Sequence, residues 1–410
     1  MTFTRKNADL NPIQDEVFKA VALVKEAKVK YGKDNVIDAT IGTLCSESGE
    51  IVALKTVFDT YDKIDPKIKA SYSSSFTGNP NYCNQVAKWV FGNSGINLPF
   101  ATLATPGGTG AISTTFQSCL NQGETILLPE VAWGSYKLMA NQYGLEINTY
   151  KLFDKDVFNL VDFADKCHAI VNKQQKLVVV INDPCHNPTG YSLTINEWEN
   201  VIAILNECSK QGPVVLLNDI AYIDYSYDLA HVRDYMHTFN NISDNVAIVI
   251  AFSCSKTCTS YGLRIGASII LAKQQNAVRE MEIVFEKLAR STWSNVGNAG
   301  MENFVRVTID NLVEFEKEKN YYVDLLKERS DIFVREAAEV QLPIYPYKEG
   351  FFVTIMIDDN EVVTKYHQAL IDNNIFAVKV NKGIRVAICS VSVEQTKGLA
   401  KRMSDILKSI

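Results

Sequence analysis

An α/β fold is predicted: a large domain with a mostly parallel sheet flanked by helices, and a smaller α+β domain beside it. Three observations predict it. Short apolar runs alternate with helical segments from Ala101 to Leu271, the pattern of strands joined by helical crossovers. The chain turns mainly helical from Lys273 to about Ala338, then mixes strands and helices from Tyr345 onward. At 410 residues it is also too long for one compact core, so two domains are expected.

The elements follow in order. Asn11-Pro12 predicts a helix start, an N-cap followed by proline at the first helical position. Ile13 to Tyr31 then carries Val17, Ala20, Val21 and Val24 at helical spacing and stops at Gly32. Val36 to Gly42 reads as a short strand running into a glycine turn. Tyr72 to Tyr82 reads as a loop, yet it holds Tyr72, Phe76 and Tyr82, more aromatic surface than a passive linker needs. Ala101 to Thr105 is a predicted strand, Pro106 to Gly110 a turn, and Ala111 to Leu120 a helix that ends at Gly123. Further strands are predicted at Thr125–Leu128, Glu146–Tyr150, Leu177–Ile181, Val214–Leu217, Val246–Phe252 and Ala267–Leu271. The helix from Thr194 to Lys210 opens on Thr194 and Glu197, a capping box. A break at Trp293 to Gly300 divides the helical region, and the last part carries strands at Phe351–Ile357, Phe376–Val380 and Ile384–Ile388 with two helices.

Composition excludes several function classes. A net charge of -6 leaves no basic footprint for nucleic acid or an anionic membrane. The longest apolar runs, such as Leu177 to Ile181, are strand-sized rather than membrane-sized. MTFTRKNADLNPIQ has no apolar segment of a secretory signal, so a cytoplasmic location is expected. Nine cysteines without CxxC spacing read as reduced, buried thiols, with no metal site.

Four stretches fall at predicted strand ends, where open α/β sheets bind ligands. Ser253-Cys254-Ser255-Lys256 follows an apolar strand and places a lysine among hydroxyl residues, with Arg264 eight residues on. Gly107-Gly108-Thr109-Gly110 precedes a helix whose backbone N–H groups could hold a phosphate. Asn182-Asp183-Pro184-Cys185-His186-Asn187-Pro188-Thr189-Gly190 can fix an asparagine amide at a strand end. Leu217-Asn218-Asp219-Ile220-Ala221-Tyr222 brings an aspartate out of an apolar run, costly to bury unless a cation compensates it. Singly, each has a plain reading: a loop charge, a tight turn, a capped helix. Together they match the inventory for pyridoxal phosphate, which needs a lysine, an acid for its ring nitrogen, donors for its ring hydroxyl and a phosphate cradle.

With these motifs the chain resembles the fold-type I pyridoxal-phosphate aminotransferases of class I, and among them the aspartate and aromatic amino acid aminotransferases. The resemblance rests on His186-Asn187-Pro188-Thr189-Gly190, Asp219-Ile220-Ala221-Tyr222 and Ser253-Cys254-Ser255-Lys256 with Arg264. It implies that Lys256 forms the internal aldimine, that Asp219 pairs with the pyridine nitrogen, and that Asn187 and Tyr222 bond the ring oxygen. Trp133 resembles the residue stacked on the cofactor ring. Gly108, Thr109, Ser253, Ser255 and Arg264 are the implied phosphate ligands, with Tyr72 reaching over from a partner subunit. For substrate, the resemblance implies Arg385 and Gly42 at the α-carboxylate, Trp133 and Asn187 beside it, and the partner's Arg290 at a side-chain carboxylate. A planar guanidinium suits the first role through two parallel N–H bonds.

The implied large domain is 46–310, and residues 1–45 with 311–410 form the small one. The implied activity is transamination of aspartate or an aromatic amino acid, with 2-oxoglutarate and glutamate as the partner pair, in a homodimer with shared active sites. A lyase or decarboxylase of the same fold and a non-catalytic binding or regulatory domain are the alternatives. Two departures stand out: Val296-Gly297 replaces the usual prolines after Ser294-Asn295, and Tyr136 stands where the family often has histidine.

Overall fold

The structure, a computed structural model, describes residues 3–4, 9–13 and 16–410, with the backbone alone for 16–18. In chain order the strands are β1 (Ile37–Asp38), β2 (Phe100–Thr105), β3 (Thr125–Pro129), β4 (Glu146–Tyr150), β5 (Phe153–Asp154), β6 (Val157–Phe158) and β7 (Leu177–Asn182). There follow β8 (Val214–Asp219), β9 (Val246–Ser253), β10 (Gly266–Ala272), β11 (Phe352–Met356), β12 (Ile375–Phe376), β13 (Val378–Val380) and β14 (Gly383–Ala387).

Seven strands make the main sheet in the order β2-β10-β9-β8-β7-β3-β4. β10 runs antiparallel to both its neighbours, and every other pairing is parallel. β3, β7, β8 and β10 are buried along their whole length, as a sheet covered on both faces requires. Alternate side chains divide between those faces. Val178, Val180, Leu217 and Val249 pack with Ile112 and Phe116 of the helix Gly107–Cys119 and with Phe285 of Gln275–Thr292. Val179, Leu216, Ile248 and Ile250 face Phe163 of Leu160–Gln174 and Trp198 of Ile195–Cys208. The last of these helices does open on the Thr194/Glu197 capping box.

The two chain ends meet. β1 pairs in parallel with β12, Ile37 opposite Ile375, and Ala387 N donates to Ala39 O at 3.0 Å. β11, β14 and β13 form a separate antiparallel sheet, and the helix Leu312–Glu339 packs on the C-terminal helix Leu399–Lys408.

Several expected boundaries move. The first helix spans Glu16–Tyr31, so Pro12 is not its first residue; the side chain of Asp9 instead accepts from the backbone and amide of Asn11 at 2.9 and 2.7 Å. Residues 14 and 15 and the Val17 side chain lie outside the described residues. The glycine turn is itself the first turn of the helix Gly107–Cys119. Tyr82 belongs to the helix Pro80–Phe91, buried with its hydroxyl donating to Gly266 O at 2.9 Å. The expected strand at 376–380 is two strands, β12 and β13, and β14 stops at Ala387 where a short 3-10 turn begins. All nine cysteines carry free thiols. Among the described residues no helix is long and apolar enough to cross a membrane.

Candidate active site

The site lies beyond the carboxyl ends of β7, β8 and β9, where Asn182, Asp219 and Ser253 are the last strand residues. Ser253 caps the short helix Cys254–Thr257 by accepting from Ser255 N at 3.3 Å. That cap orients the turn carrying Lys256. The half-buried amine donates to Gly42 O and sits 5.3, 4.8 and 5.5 Å from the rings of Tyr222, Tyr261 and Phe351. Burial pushes its pKa down to about 8, the Cys389 thiol opposes this, and Arg385 and Arg264 add to it. A neutral amine is therefore within reach near neutral pH.

Asp219 is 4% exposed. Tyr136, fully buried, donates its hydroxyl to Oδ2, and Ala221 N donates to Oδ1 at 3.1 Å. Asn182 Nδ2 holds the Asp219 carbonyl at 2.8 Å. Among the described residues no lysine, arginine or histidine pairs with this carboxylate, and burial raises it to about 6 against those two donors. On the neighbouring strand end, Asn187 Nδ2 donates to Tyr222 Oη at 3.3 Å, and Asn187 N donates to Asn182 Oδ1 at 2.7 Å. Burial raises the Tyr222 phenol, and Arg385 opposes the rise, so the hydroxyl stays a donor.

A third group lies around the helix Gly107–Cys119. A Cβ on Gly107, at φ +70°, would stand 2.4 Å from Arg264 Nη2, and one on Gly108 would stand 3.3 Å from Ser253 Cβ. Only glycine there lets the helix amino terminus close on the arginine and the serine. Arg264 Nη1 donates to Ser255 Oγ and Tyr261 O, both at 2.9 Å. Thr109 is exposed in the first turn. Backbone N–H groups, two serines and a guanidinium thus converge on one small volume, as an anion requires.

Arg385, on β14, is buried, donates from Nη2 to Thr40 O at 2.8 Å and from Nη1 to Asn187 Oδ1 at 3.4 Å, and lies 4.4 Å from the Phe352 ring centre. A Cβ on Gly42 would meet Phe352 Cζ at 2.9 Å. Trp133 stands edge-to-face with Tyr136 at 5.5 Å. Trp133, Tyr136, Asn187 and Arg385 line one cleft of about 1000 Å³, together with Glu130 and Lys379.

Two expected residues stand apart. Tyr72 is 86% exposed. Arg290 is exposed, donates to Ser294 Oγ and lies 4.6 Å from the Phe76 ring centre. Their segments are tied to each other, because Ser73 N donates to Asn295 Oδ1 at 2.9 Å.

Sequence reasoning missed a buried cluster beneath the lysine. Thr257 Oγ1 and Trp89 Nε1 donate to Asp224 Oδ2 at 2.7 and 2.9 Å. Arg233 Nη2 reaches Oδ1 at 2.7 Å, and Lys319 Nζ stands 3.7 Å from it. An aspartate two residues after Tyr222, inside an apolar stretch, was the available signal.

A description of class I and II aminotransferases matches residues 35–403. The aromatic-amino-acid aminotransferase of Paracoccus denitrificans is 27% identical over 267 residues, covering 64% of this chain and 65% of that relative's length. The chain thus aligns with less than two thirds of that relative. A crystal structure of an aminotransferase from Anaerococcus prevotii superposes with a TM-score of 0.95 at 33% identity, over 99% of both chains. An aromatic-amino-acid aminotransferase from Burkholderia pseudomallei, covalently bound to pyridoxal phosphate, shares the fold at 19% identity and a TM-score of 0.79, over 99% of this chain and 100% of that one.

Proposed function

The chain belongs to the class I and II aminotransferases, and from that premise we propose that it moves an amino group between an amino acid and a 2-oxo acid, with pyridoxal phosphate held at Lys256. The observation that carries the reading is Asp219: a buried carboxylate at the end of β8 that two neutral donors aim and, among the described residues, no cation neutralises. A protonated ring nitrogen is the partner such a group lacks. The Gly107–Thr109 turn with Ser253, Ser255 and Arg264 fits a phosphate, and Asn187 with Tyr222 fits a ring oxygen.

When bound, the cofactor supplies an aldehyde carbon for an amine and a ring that draws electrons from the substrate α-carbon. The remaining work belongs to this chain. Lys256 Nζ, pushed down to about 8, would be the residue that holds that carbon at rest and, once free of it, the general base for the α-proton. Asp219 stays ionised to hold the ring nitrogen charged. Arg385 receives the α-carboxylate beside Gly42 and Asn187, and Trp133 covers the ring from the cleft side.

The same proposal divides the chain into a large domain of 46–310 and a small one of 1–45 with 311–410, supported by the β1–β12 pairing of the two ends. It also makes the working unit a homodimer. Tyr72 and Arg290, on neighbouring exposed segments, then serve the second copy's phosphate and a dicarboxylate's far end. Aspartate or an aromatic amino acid as donor, with 2-oxoglutarate as acceptor, is the substrate choice this supports. Lys256→Ala should lose both the visible absorbance of the loaded protein and all 2-oxo-acid-dependent turnover. Retained turnover in that variant, or turnover of wild type without any 2-oxo acid, would overturn the proposal.

A further inference from the structure

The cleft has two walls, and each carries one site residue on a short lever. Trp133 lies three residues after Glu130, which follows β3 on the main sheet. Arg385 lies three residues after Lys382, in the turn between β13 and β14 on the small sheet. The two lever ends touch. Lys382 Nζ donates to Glu130 Oε2 at 3.0 Å, and Asn381 Nδ2 donates to Glu130 O at 3.0 Å.

Both ends are stiff. Glu130 N donates to Tyr150 O at 2.9 Å, which ties it to the end of β4. The turn is held from its other side, where Lys382 N donates to Asn360 Oδ1 at 2.9 Å and Asn360 Nδ2 to Asn381 Oδ1 at 3.0 Å. Tyr345 donates its hydroxyl to Lys382 O at 3.2 Å. A change in the Glu130–Lys382 separation is therefore carried to Trp133 and Arg385 rather than lost in a soft loop.

The pair's exposure suits a contact that opens and closes. Its side chains are 33% and 21% exposed, so water can replace either partner at small cost. Among the described residues two other ion pairs join distant parts of the chain: Lys319–Asp224 is buried on both sides, and Arg329–Glu47 is buried on the arginine side alone. Each of those pairs has a buried partner, whereas Lys382 and the cleft-lining Glu130 are both part-exposed.

We infer that Glu130 and Lys382 form a latch across the cleft mouth, positioning residues that set the distance between the ring-covering Trp133 and the carboxylate-binding Arg385. The inference rests on the proposed function for its substrate, but the latch has a readout of its own. Hydrogen exchange on the unliganded protein should show faster exchange at residues 381–385 in Glu130→Gln and Lys382→Gln than in wild type. The exchanged-charge variant, Glu130→Lys with Lys382→Glu, should return to the wild-type rate. In turnover assays the single variants should raise KM for both amino acid and 2-oxo acid by about two- to five-fold, with kcat moving less. Added salt should raise the wild-type KM toward theirs. Unchanged exchange at 381–385 in both single variants would overturn the latch, and so would an exchanged-charge variant no better than the singles. Wild-type protein that exchanges as expected but transaminates nothing would instead count against the proposed function and leave the latch standing.

Discussion

Replacing Tyr136 with phenylalanine removes one hydrogen bond from the site and keeps the ring that packs there. The phenol is fully buried and donates to Asp219 Oδ2. A hydrogen bond to a charged acceptor in such a place is worth about 1.5–3 kcal/mol, or about one to two pH units on the acceptor. Asp219 stands at about 6 with the phenol in place, so the variant's carboxyl should titrate about one to two units higher. At pH 7 the ionised fraction then falls from nine-tenths to between a half and a tenth. Affinity for pyridoxal phosphate should fall by about two- to ten-fold at pH 7, and the loss should vanish near pH 9, where both proteins are ionised. Stability follows the same linkage. The folded value lies above the ordinary carboxyl value of 3.8, so the folded chain binds the proton more tightly, and its stability declines as pH climbs from about 4 to about 6. In the variant that decline should run on to higher pH. Carbon-13 NMR of aspartate-labelled, cofactor-free protein reads the titration directly, and cofactor affinity against pH reads its consequence. A titration midpoint unchanged from wild type, or an affinity loss that persists at pH 9, would refute the assignment of Tyr136 to this carboxylate.

Two further perturbations address the rest of the site. Gly107→Ala combines a positive φ with a Cβ 2.4 Å from Arg264 Nη2; it should weaken cofactor and inorganic-phosphate binding at least about ten-fold for a stability cost of about 1–2 kcal/mol, and unaltered phosphate binding by equilibrium dialysis would remove the turn from the cradle. For Asp224, burial would raise the carboxyl, but Lys319 and Arg233 outweigh it and hold it well below the usual carboxylate range. The stability it contributes is thus present above the ordinary carboxyl value and lost as pH falls below it toward the lowered folded value. Asp224→Ala should cost about 3–5 kcal/mol in denaturant unfolding, and a cost no larger than that of Asp59→Ala, which breaks an exposed pair with Lys55, would contradict the structural weight given to the cluster.

The sequence made the sheet and the lysine site legible because both are written locally. Apolar runs such as Val246–Phe252, bounded by polar residues, carry a local strand signal, and a residue just past such a run lands at the sheet's carboxyl edge. Lys256, Asp219 and Asn187 could therefore be placed from neighbours alone. The helix start expected at Pro12 was misplaced: the helix spans Glu16–Tyr31, and Asn11 instead donates to Asp9 in a short-range contact. Tyr136 was visible only as a departure from a pattern. Its partner is Asp219, more than eighty residues away, and only the packing of the main sheet against the helix Ser135–Gln142 brings them together. The Asp224 cluster and the Glu130–Lys382 contact are likewise assembled from distant segments, and no spacing encodes them.

Three buried aspartates show why burial by itself identifies no site. Asp183, Asp219 and Asp224 are 1%, 4% and 1% exposed. Asp224 is neutralised on the spot by Arg233 and Lys319, so its charge is spent on holding the lysine loop. Asp183 accepts from Leu193 N at 2.6 Å and Trp198 Nε1 at 2.9 Å, and burial raises it to about 7. Its donors come from the helix Ile195–Cys208 and the turn before it, and neither Leu193 nor Trp198 lines the cleft. Asp219 shares the missing cation but not the direction: Tyr136, which aims it, lines the cleft beside Trp133 and Arg385. A carboxylate that is buried, uncompensated and turned toward a ligand space is the one a cationic ligand completes. On the proposed function, that combination, rather than any single property of the residue, sets Asp219 apart from Asp183 and Asp224.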